Sequence, residues 1–225
     1  MFENVSAIFF DLDGTLVDSV PDLTAAVNVM LRQLGLPARE EAQVRTWVGN
    51  GMDNLLHRAL TNDMAGQAEP ELFARAKPLY KAAYADHISV YSELYPGVRE
   101  GLAELRDAGF PMACVTNKLV EFALPLLKQL GIDHFFATVV GGECIPRPKP
   151  APDALLLCAE RLEVPVDRGL MVGDSLNDVG AARNAGCSVV CVPYGYNHGR
   201  DIREARPDVV IDSIAELPPL LNKAA

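Results

Sequence analysis

From residue 95 onward, apolar runs of strand length alternate with segments that have helical periodicity. The segment VREGLAELRDAG precedes FPMACVTN, for example, and LNDVGAARNAG precedes CSVVCVPYG. This alternation predicts a parallel sheet with helices on both faces. A separate apolar run, AIFF at Ala7–Phe10, is typical of a strand buried inside such a sheet. We therefore predict an α/β fold whose core is a doubly wound, Rossmann-like parallel sheet.

The intervening residues 19–91 show helical periodicity and no convincing strand. After a first helix, further helices are expected over 40–48, 53–60 and 69–91, with a flexible joint at Gly49, Asn50 and Gly51. Pro78 is expected to bend or interrupt the last of these helices. We predict an all-helical domain over 19–91, inserted into a core made of residues 1–18 and 92–225.

The composition limits the kinds of partner that this chain can bind. Of its 225 residues 49% are hydrophobic, enough for a substantial core, and the formal net charge is -10 at pH 7. A chain this acidic is not expected to bind nucleic acid or an anionic membrane. No apolar run approaches the roughly 20 residues of a membrane span, and the five cysteines form no C-x-x-C pair. We expect a cytoplasmic monomer or homodimer with a small ligand.

Two carboxylates, Asp11 and Asp13, directly follow the apolar run at the N-terminus. Residues at i and i+2 of an extended chain point to the same side, so these like charges are held close together. Such a pair at the end of a buried strand is costly unless a cation compensates it or one member holds a proton. Both remedies are typical of a catalytic or metal site. The alternative is that Asp13 and Gly14 simply form a turn, and the pair alone leaves both interpretations open.

Further polar residues stand where other predicted strands end, and ligands bind at the carboxyl ends of strands in open α/β sheets. These residues are Thr116, Asn117, Lys149, Asp174 and Asp178. Together they supply carboxylates for a cation, donors for anion oxygens and an ammonium, which phosphoryl transfer needs. Each has a structural alternative, as a strand residue, a helix cap or a solvated loop lysine. A single site accounts for all of them at once.

Four motifs occur in order along the chain: DLDGT, VTN, the lysine of KP, and GDSLND. The ordered set resembles the haloacid dehalogenase superfamily over essentially the whole chain, and the inserted helical domain resembles that family's cap domain. The stretches DLDGTLVDS, TWVGNG, RPKPAPD and VPYGYN look most like bacterial phosphoglycolate phosphatases. The resemblance implies a Mg2+-dependent phosphomonoester hydrolase, with 2-phosphoglycolate as the expected substrate.

The resemblance also implies how the acidic residues act. Asp11 looks like the nucleophile, which becomes an aspartyl phosphate. Asp13 looks like the acid that protonates the leaving group and then the base that activates water. The implied metal residues are Asp11, Asp13 through its backbone carbonyl, Asp174 and Asp178. Asp178 either contacts Mg2+ or orients Lys149 or metal-bound water.

Other residues are implied to hold the substrate. Thr116 and the amide of Asn117 look like donors to the phosphoryl oxygens, and Lys149 offsets the negative charge of Asp11 and the phosphate. Thr116 and Lys149 are thus expected to be catalytic as well as substrate-binding. In the cap, the expected substrate-binding residues are Gly49, Asn50, Gly51 and Arg45, with His57 and Arg58 as further candidates for binding a substrate carboxylate.

Other activities fit parts of the same pattern. Asp13 argues against a dehalogenase, because a halide leaving group needs no acid. A sugar or amino-sugar phosphate is an alternative substrate, and a sugar phosphomutase would keep both aspartates. A non-catalytic phosphate-sensing module would carry a similar acidic cluster. The large helical insertion favours an enzyme, because a lid over the site excludes water and selects substrates.

Overall fold

The computed structural model describes residues 2–223 of the chain. Its strands are β1 (Phe2–Val5), β2 (Ala7–Phe10), β3 (Val17–Asp18), β4 (Glu93–Leu94), β5 (Met112–Val115), β6 (Thr138–Val140), β7 (Gly169–Gly173), β8 (Ser188–Cys191), β9 (Val209–Val210) and β10 (Leu221–Lys223). Its α-helices are α1 (Val20–Gln33), α2 (Glu41–Trp47), α3 (Met52–Thr61), α4 (Pro70–Asp86), α5 (Val98–Asp107), α6 (Val120–Gln129), α7 (Asp153–Arg161) and α8 (Leu176–Ala185).

Six strands form one parallel sheet in the order β6-β5-β2-β7-β8-β9. All residues of β2, β5 and β7 are buried, as expected for strands covered on both faces. Phe10 pairs with Cys114 of β5 and with Val172 of β7, so the three strands end at the same edge. The predicted doubly wound parallel sheet is confirmed. The loops that follow its three central strands meet at the carboxyl edge.

Side chains of β2 alternate between two hydrophobic cores. Ile8 and Phe10 belong to the larger core, which is continuous with the apolar side chains of α1 to α4. Ala7 and Phe9 face the opposite way and pack with side chains of α7 and α8. This alternation follows from the period of two along a strand. It explains why the run AIFF has no polar residue.

Helices α1 to α4 follow one another between β3 and β4, in agreement with the predicted helical insertion. Helices α2 and α3 begin and end within one residue of the predicted bounds. The predicted end of the last helix at Tyr91 is wrong, because α4 ends at Asp86. The backbone N–H groups of Tyr91 and Ser92 donate instead to the carboxylate of Asp22 in α1.

Pro78 lies inside α4 without interrupting it. Of the two expected effects the interruption does not occur, and a bend at Pro78 stays a prediction. The residues Ala76 and Tyr80, on either side of the proline, are buried, and α4 packs against α1. Tertiary packing of this kind outweighs the local cost of a missing backbone donor.

The chain crosses between the sheet and the helical segment at β3 and β4, which pair antiparallel. Val17 pairs with Leu94, and Asp18 pairs with Glu93. The strands β1 and β10 form a separate parallel pair. None of these four strands was predicted, since runs of two to four residues are too short for periodicity to reveal. The predicted domain boundaries, between residues 18 and 19 and between residues 91 and 92, lie next to β3 and β4. The division into two domains stays a prediction.

All five cysteines are free thiols, four of them buried and Cys144 exposed. The four buried, unpaired cysteines are typical of core packing. Across residues 2–223, none of the helices combines the length and apolar character that a membrane crossing requires.

Candidate active site

The carboxyl edge of the sheet brings the predicted polar residues together. Asp11 follows β2, Thr116 follows β5 and Asp174 follows β7, while Asp178 lies in the first turn of α8. Lys149 enters from the loop that connects β6 to α7. All five side chains are buried. Buried polar and charged groups are costly unless they are paired, so their partners define the site.

Lys149 is the central cation of this cluster. Its Nζ lies 2.8 Å from Oδ1 of Asp11 and 2.7 Å from Oδ1 of Asp178. It also donates to the backbone carbonyl of Val115 at 2.8 Å, so all three of its protons have acceptors. The same Oδ1 of Asp11 accepts a hydrogen bond from the Leu12 N–H at 2.7 Å. The lysine is therefore held in place against Asp11.

Asp178 fixes the lysine and is itself fixed by the start of α8. Its Oδ2 accepts hydrogen bonds from the Ser175 N–H, the Ser175 hydroxyl and the Asp174 N–H. Ser175 and Asp178 form a capping box, which the motif GDSLND encodes. Asp174 accepts from the Thr15 hydroxyl at 2.7 Å and from the Tyr196 N–H at 2.5 Å. Its carboxylate is thereby oriented from two sides.

The charges of this cluster do not balance among the described residues. Burial raises the pKa of Asp11 to about 7, although Lys149 opposes the rise. Burial also raises the pKa of Asp174 well above its ordinary value, and the charges of Asp178 and Asp11 add to this effect. Burial lowers the pKa of Lys149, but Asp11 and Asp178 outweigh it and keep that pKa above the ordinary value. Three carboxylates thus cluster near one ammonium, which contacts two of them, Asp11 and Asp178.

A divalent cation would balance the remaining negative charge of the three carboxylates. Oxygen atoms of Asp11, Asp174 and Asp178 lie within 4.8 Å of one another. An all-oxygen donor set of this kind is typical of a hard cation such as Mg2+ or Ca2+. The carboxylate of Asp13 does not belong to this group.

Asp13 turns instead towards Lys118, a residue that the sequence analysis did not select. The Lys118 Nζ lies 2.8 Å from Oδ1 of Asp13, and both side chains are largely buried. The Ser19 hydroxyl donates to the same oxygen at 2.5 Å. Lys118 also lies over the ring of Tyr84, 4.8 Å from its centroid. The one available signal was its position directly after the motif VTN, where a lysine is usually solvated.

Thr116 and Asn117 occupy the turn after β5. The Thr116 hydroxyl accepts from the Lys118 N–H at 3.1 Å. The Asn117 side chain donates to the carbonyls of Gly49 and Lys149 and accepts from the Lys149 N–H. It therefore ties two loops together. The Asn117 backbone N–H has no hydrogen-bond partner in the part of the chain that the structure describes, and it is available to a ligand.

The joint at residues 49–51 reaches over the site. The carbonyl of Gly49 accepts hydrogen bonds from the side-chain amides of Asn117 and Asn177, each at 3.1 Å. Gly49 and Gly51 have φ values of 122° and 82°, which other residues rarely adopt. The Asn50 side chain accepts from Arg58 and lies 3.5 Å from Asn177. The structure thus places the predicted loop at the site, with its backbone rather than Asn50 facing inward.

The structure does not bring the predicted cap cations onto the site. Arg45 pairs with Asp18 and with Glu41. His57 stacks on Phe73, and its Nδ1 accepts from the Ala68 N–H. Arg58 donates to the carbonyls of Trp47 and Met64 as well as to Asn50. Each of these cations has partners within the helical segment or at the chain crossing.

A cavity of about 550 Å³, including the open space at its mouth, lies between the sheet edge and the helices. Asp11, Asp13 and Thr116 form its polar floor. Its walls are mostly apolar and come from α1, α3, α4 and α6, and they include Leu23, Met52, Leu55, Tyr80, Tyr84 and Phe122. Lys118 stands where the floor meets this wall. The cavity therefore offers a small, charged base beneath an apolar lid.

Known proteins match this chain along almost its whole length. The phosphoglycolate phosphatase of Nitrosococcus oceani is 49% identical over 225 residues, and the match covers 100% of both chains. The phosphoglycolate phosphatase of Vibrio cholerae is 48% identical over 217 residues, covering 96% of each chain. Both relatives match essentially from end to end.

Solved structures show the same architecture. A crystal structure of a predicted phosphoglycolate phosphatase from Haemophilus somnus has a TM-score of 0.90 at 37% identity, covering 96% of this chain and 97% of that one. CbbY from Rhodobacter sphaeroides, solved in complex with phosphate, has a TM-score of 0.78 at 27% identity, covering 95% and 96%. The family model for haloacid dehalogenase-like hydrolases matches residues 5–186. The chain accordingly belongs to the haloacid dehalogenase-like hydrolases, as its four ordered motifs indicated.

Proposed function

We propose that this protein is a Mg2+-dependent phosphatase that hydrolyses 2-phosphoglycolate to glycolate and phosphate. The observation that carries the proposal is the contact between Asp11 and Lys149 beside two further buried carboxylates. The full-length similarity to phosphoglycolate phosphatases supports the choice of substrate.

The residues can divide the reaction into two steps. Lys149 and the Leu12 N–H both contact Oδ1 of Asp11, which leaves Oδ2 free to attack phosphorus. The bond from phosphorus to the ester oxygen breaks, and Asp13 gives its proton to the departing glycolate oxygen. Asp13 then takes a proton from water, which attacks the phosphorus of the aspartyl phosphate. Phosphate leaves, and Asp11 is regenerated.

The residues present fit a magnesium ion. Asp11, Asp174 and the backbone carbonyl of Asp13 would hold it, and it would neutralise negative charge on the carboxylates and the phosphoryl group. Asp178 has a different task, because Lys149, Ser175 and the Asp174 N–H already engage both of its oxygens. It positions Lys149, which offsets the charge that develops during transfer.

Thr116 and the Asn117 N–H are the proposed donors to the phosphoryl oxygens. We expect a small phosphomonoester as the ligand, no nucleic acid or membrane partner, a cytoplasmic location, and a monomer or homodimer. A sugar or amino-sugar phosphate would need hydroxyl-binding groups in the cavity wall. That wall is mostly apolar among the described residues, which favours the smaller substrate.

Turnover across a panel of phosphomonoesters tests the proposal. With saturating Mg2+, kcat/KM should be highest, or close to highest, for 2-phosphoglycolate. The Asp11→Asn variant provides the control for contaminating phosphatases. If a hexose or amino-sugar phosphate exceeds 2-phosphoglycolate by about tenfold or more, the substrate assignment is wrong and only the phosphatase mechanism stands.

A further inference from the structure

Lys118 is a cation inside the cavity that the two-step mechanism does not use. Its side chain is 6% exposed, and the residue lines the cavity next to Asp13. An ammonium has three protons, so its contact with Asp13 leaves it able to bind a second acceptor. An exposed lysine beside an acid would need no explanation, but a buried one does.

The position of Lys118 matches the short separation between the ester oxygen and the carboxylate of the proposed substrate. This step rests on the proposed function. Asp13 must lie beside the ester oxygen in order to protonate it. In 2-phosphoglycolate a single methylene carbon separates that oxygen from the carboxylate. Because the Lys118 Nζ is 2.8 Å from Asp13, it stands next to the place where the carboxylate must lie.

Tyr84 supplies a second, independent observation. Its side chain is 1% exposed and lines the same cavity. Its hydroxyl has no hydrogen-bond partner among the described residues. A buried hydroxyl without a partner is costly, and an acceptor on a bound ligand would remove that cost. Lys118 lies over the ring of Tyr84, 4.8 Å from its centroid, and both residues line the same cavity.

We propose that Lys118 and the Tyr84 hydroxyl bind the carboxylate of the substrate. They select phosphomonoesters whose carboxylate is one carbon away from the ester oxygen. The same ammonium contacts Asp13, the general acid, and the substrate carboxylate. The cap cations Arg45, His57 and Arg58 are not needed for this recognition.

A purely electrostatic role for Lys118 makes a different prediction. If Lys118 only balances the charge of Asp13, its removal slows every substrate to the same extent. If Lys118 binds the carboxylate, its removal lowers kcat/KM more for substrates that carry a carboxylate than for substrates that lack one. The ratio of kcat/KM values for two substrates separates these roles, and it is insensitive to a partial loss of folded protein.

The first test compares 2-phosphoglycolate with ethyl phosphate, which lacks the carboxylate, in wild type and Lys118→Met. The ratio of their kcat/KM values should fall roughly 100-fold in the variant, as expected for a lost charge-assisted hydrogen bond in a buried site. The exposed Lys128 of α6 provides a matched control, and Lys128→Met should keep the wild-type ratio. An equal loss on both substrates in Lys118→Met overturns the proposal.

The second test uses Tyr84→Phe, which removes only the unpartnered hydroxyl. The same ratio should fall about tenfold, while the melting temperature should not decrease, because no protein hydrogen bond is lost. An unchanged ratio overturns the role of Tyr84. If wild type hydrolyses both substrates equally well, the proposed substrate itself is wrong. If wild type prefers 2-phosphoglycolate and both variants keep that preference, only the carboxylate site is wrong.

Discussion

Asp11 is a carboxyl group whose ionisation depends on its neighbours. Burial raises its pKa to about 7, while Lys149 works in the opposite direction. A nucleophile must be ionised to attack, so the cations around it decide how much of the protein is ready to react near neutral pH. Lys149 is shared with Asp178 and supplies only part of the compensation.

Substituting the two aspartates should separate the two steps of the reaction. Asp11→Asn should remove turnover by several orders of magnitude, since an amide is a poor nucleophile. Asp13→Asn should slow both steps and let phosphate accumulate on Asp11. Acid quenching followed by mass spectrometry of the peptides would locate the phosphate. Phosphate on any residue other than Asp11 would contradict the assignment.

The raised pKa of Asp11 also predicts how metal and pH act on stability. The pKa of Asp11 in the folded protein, about 7, exceeds its ordinary value of 3.8. Without metal, the contribution of Asp11 to stability is therefore fully present below pH 3.8. That contribution is lost as the pH rises through about 7. A metal needs the ionised carboxylates, so Mg2+ should raise the melting temperature more as the pH increases.

Melting temperatures with EDTA and with Mg2+ at about pH 5.5 and about pH 8.5 would check this. The difference between the two curves should widen at the higher pH. Asp174→Asn, which removes a proposed metal ligand, should shrink the difference at both values. A gap that does not change with pH would count against Asp11 as a ligand.

Individual site residues could be predicted to different degrees from the sequence. Asp11, Asp13, Thr116 and Asp174 stand at or just beyond strand ends, where topology alone places them together, whereas Lys149 reaches the site from the loop between β6 and α7. Lys118 could not be found in this way, because its importance comes from a side chain that folds back against Asp13. Arg45 was expected to bind substrate, but the sequence does not show that Asp18 and Glu41 are its neighbours.

At the scale of elements, the loop between α2 and α3 connects the helices to the sheet edge. The carbonyl of Gly49 receives two side-chain amides that come from different parts of the core. A single peptide group therefore fixes the position of this loop relative to both Asn117 and Asn177. The geometry depends on a φ of 122°, which favours glycine.

Gly49→Ala should consequently lower kcat/KM for 2-phosphoglycolate by roughly 10- to 100-fold, because the loop and Asn117 shift. It should also cost about 1 to 3 kcal/mol of stability through backbone strain. Gly35 is a suitable comparison, because its φ is 72° and a Cβ there would meet no atom within 4 Å. Gly35→Ala should reduce stability while kcat/KM stays close to wild type. Steady-state kinetics and urea denaturation would measure both effects.

Elements with a long apolar pattern could be predicted well, and short ones could not. Strand β2 carries four apolar residues in a row and was placed correctly in the sheet. Strands β3 and β4 have two residues each. They pair where the chain passes from the sheet to the helical segment and back again. The course of the chain at Tyr91 and Ser92, beyond the end of α4, depends on Asp22, which is far away in sequence and accepts hydrogen bonds from their backbone N–H groups.

On the scale of the whole molecule, Asp22 connects the first helix of the helical segment to the residues at which that segment ends. Its carboxylate is buried and accepts hydrogen bonds from three donor groups, the Tyr91 N–H, the Ser92 N–H and the Ser92 hydroxyl. These bonds fasten the start of the helical segment to its exit. The segment therefore returns to the sheet beside the point where it left.

Asp22→Asn should lower the free energy of unfolding by about 2 to 3 kcal/mol, since an amide group replaces an acceptor for buried donors. Urea denaturation would measure the loss. Glu71→Gln, at an exposed acid in the first turn of α4, is the matched control and should change stability by less than about 0.5 kcal/mol. Equal losses in both variants would contradict the role of Asp22.

The strand order also determines when each part of the sheet can form during synthesis. Strand β2, at the centre of the sheet, leaves the ribosome long before its neighbours β5 and β7. The active-site contacts span comparable lengths, with 105 positions between Lys118 and Asp13 and 159 between Thr15 and Asp174. Helices α1 to α4 can form meanwhile through local contacts, whereas non-local strand pairing must wait. The nascent β2, an apolar strand without its partners, therefore needs protection from aggregation during synthesis.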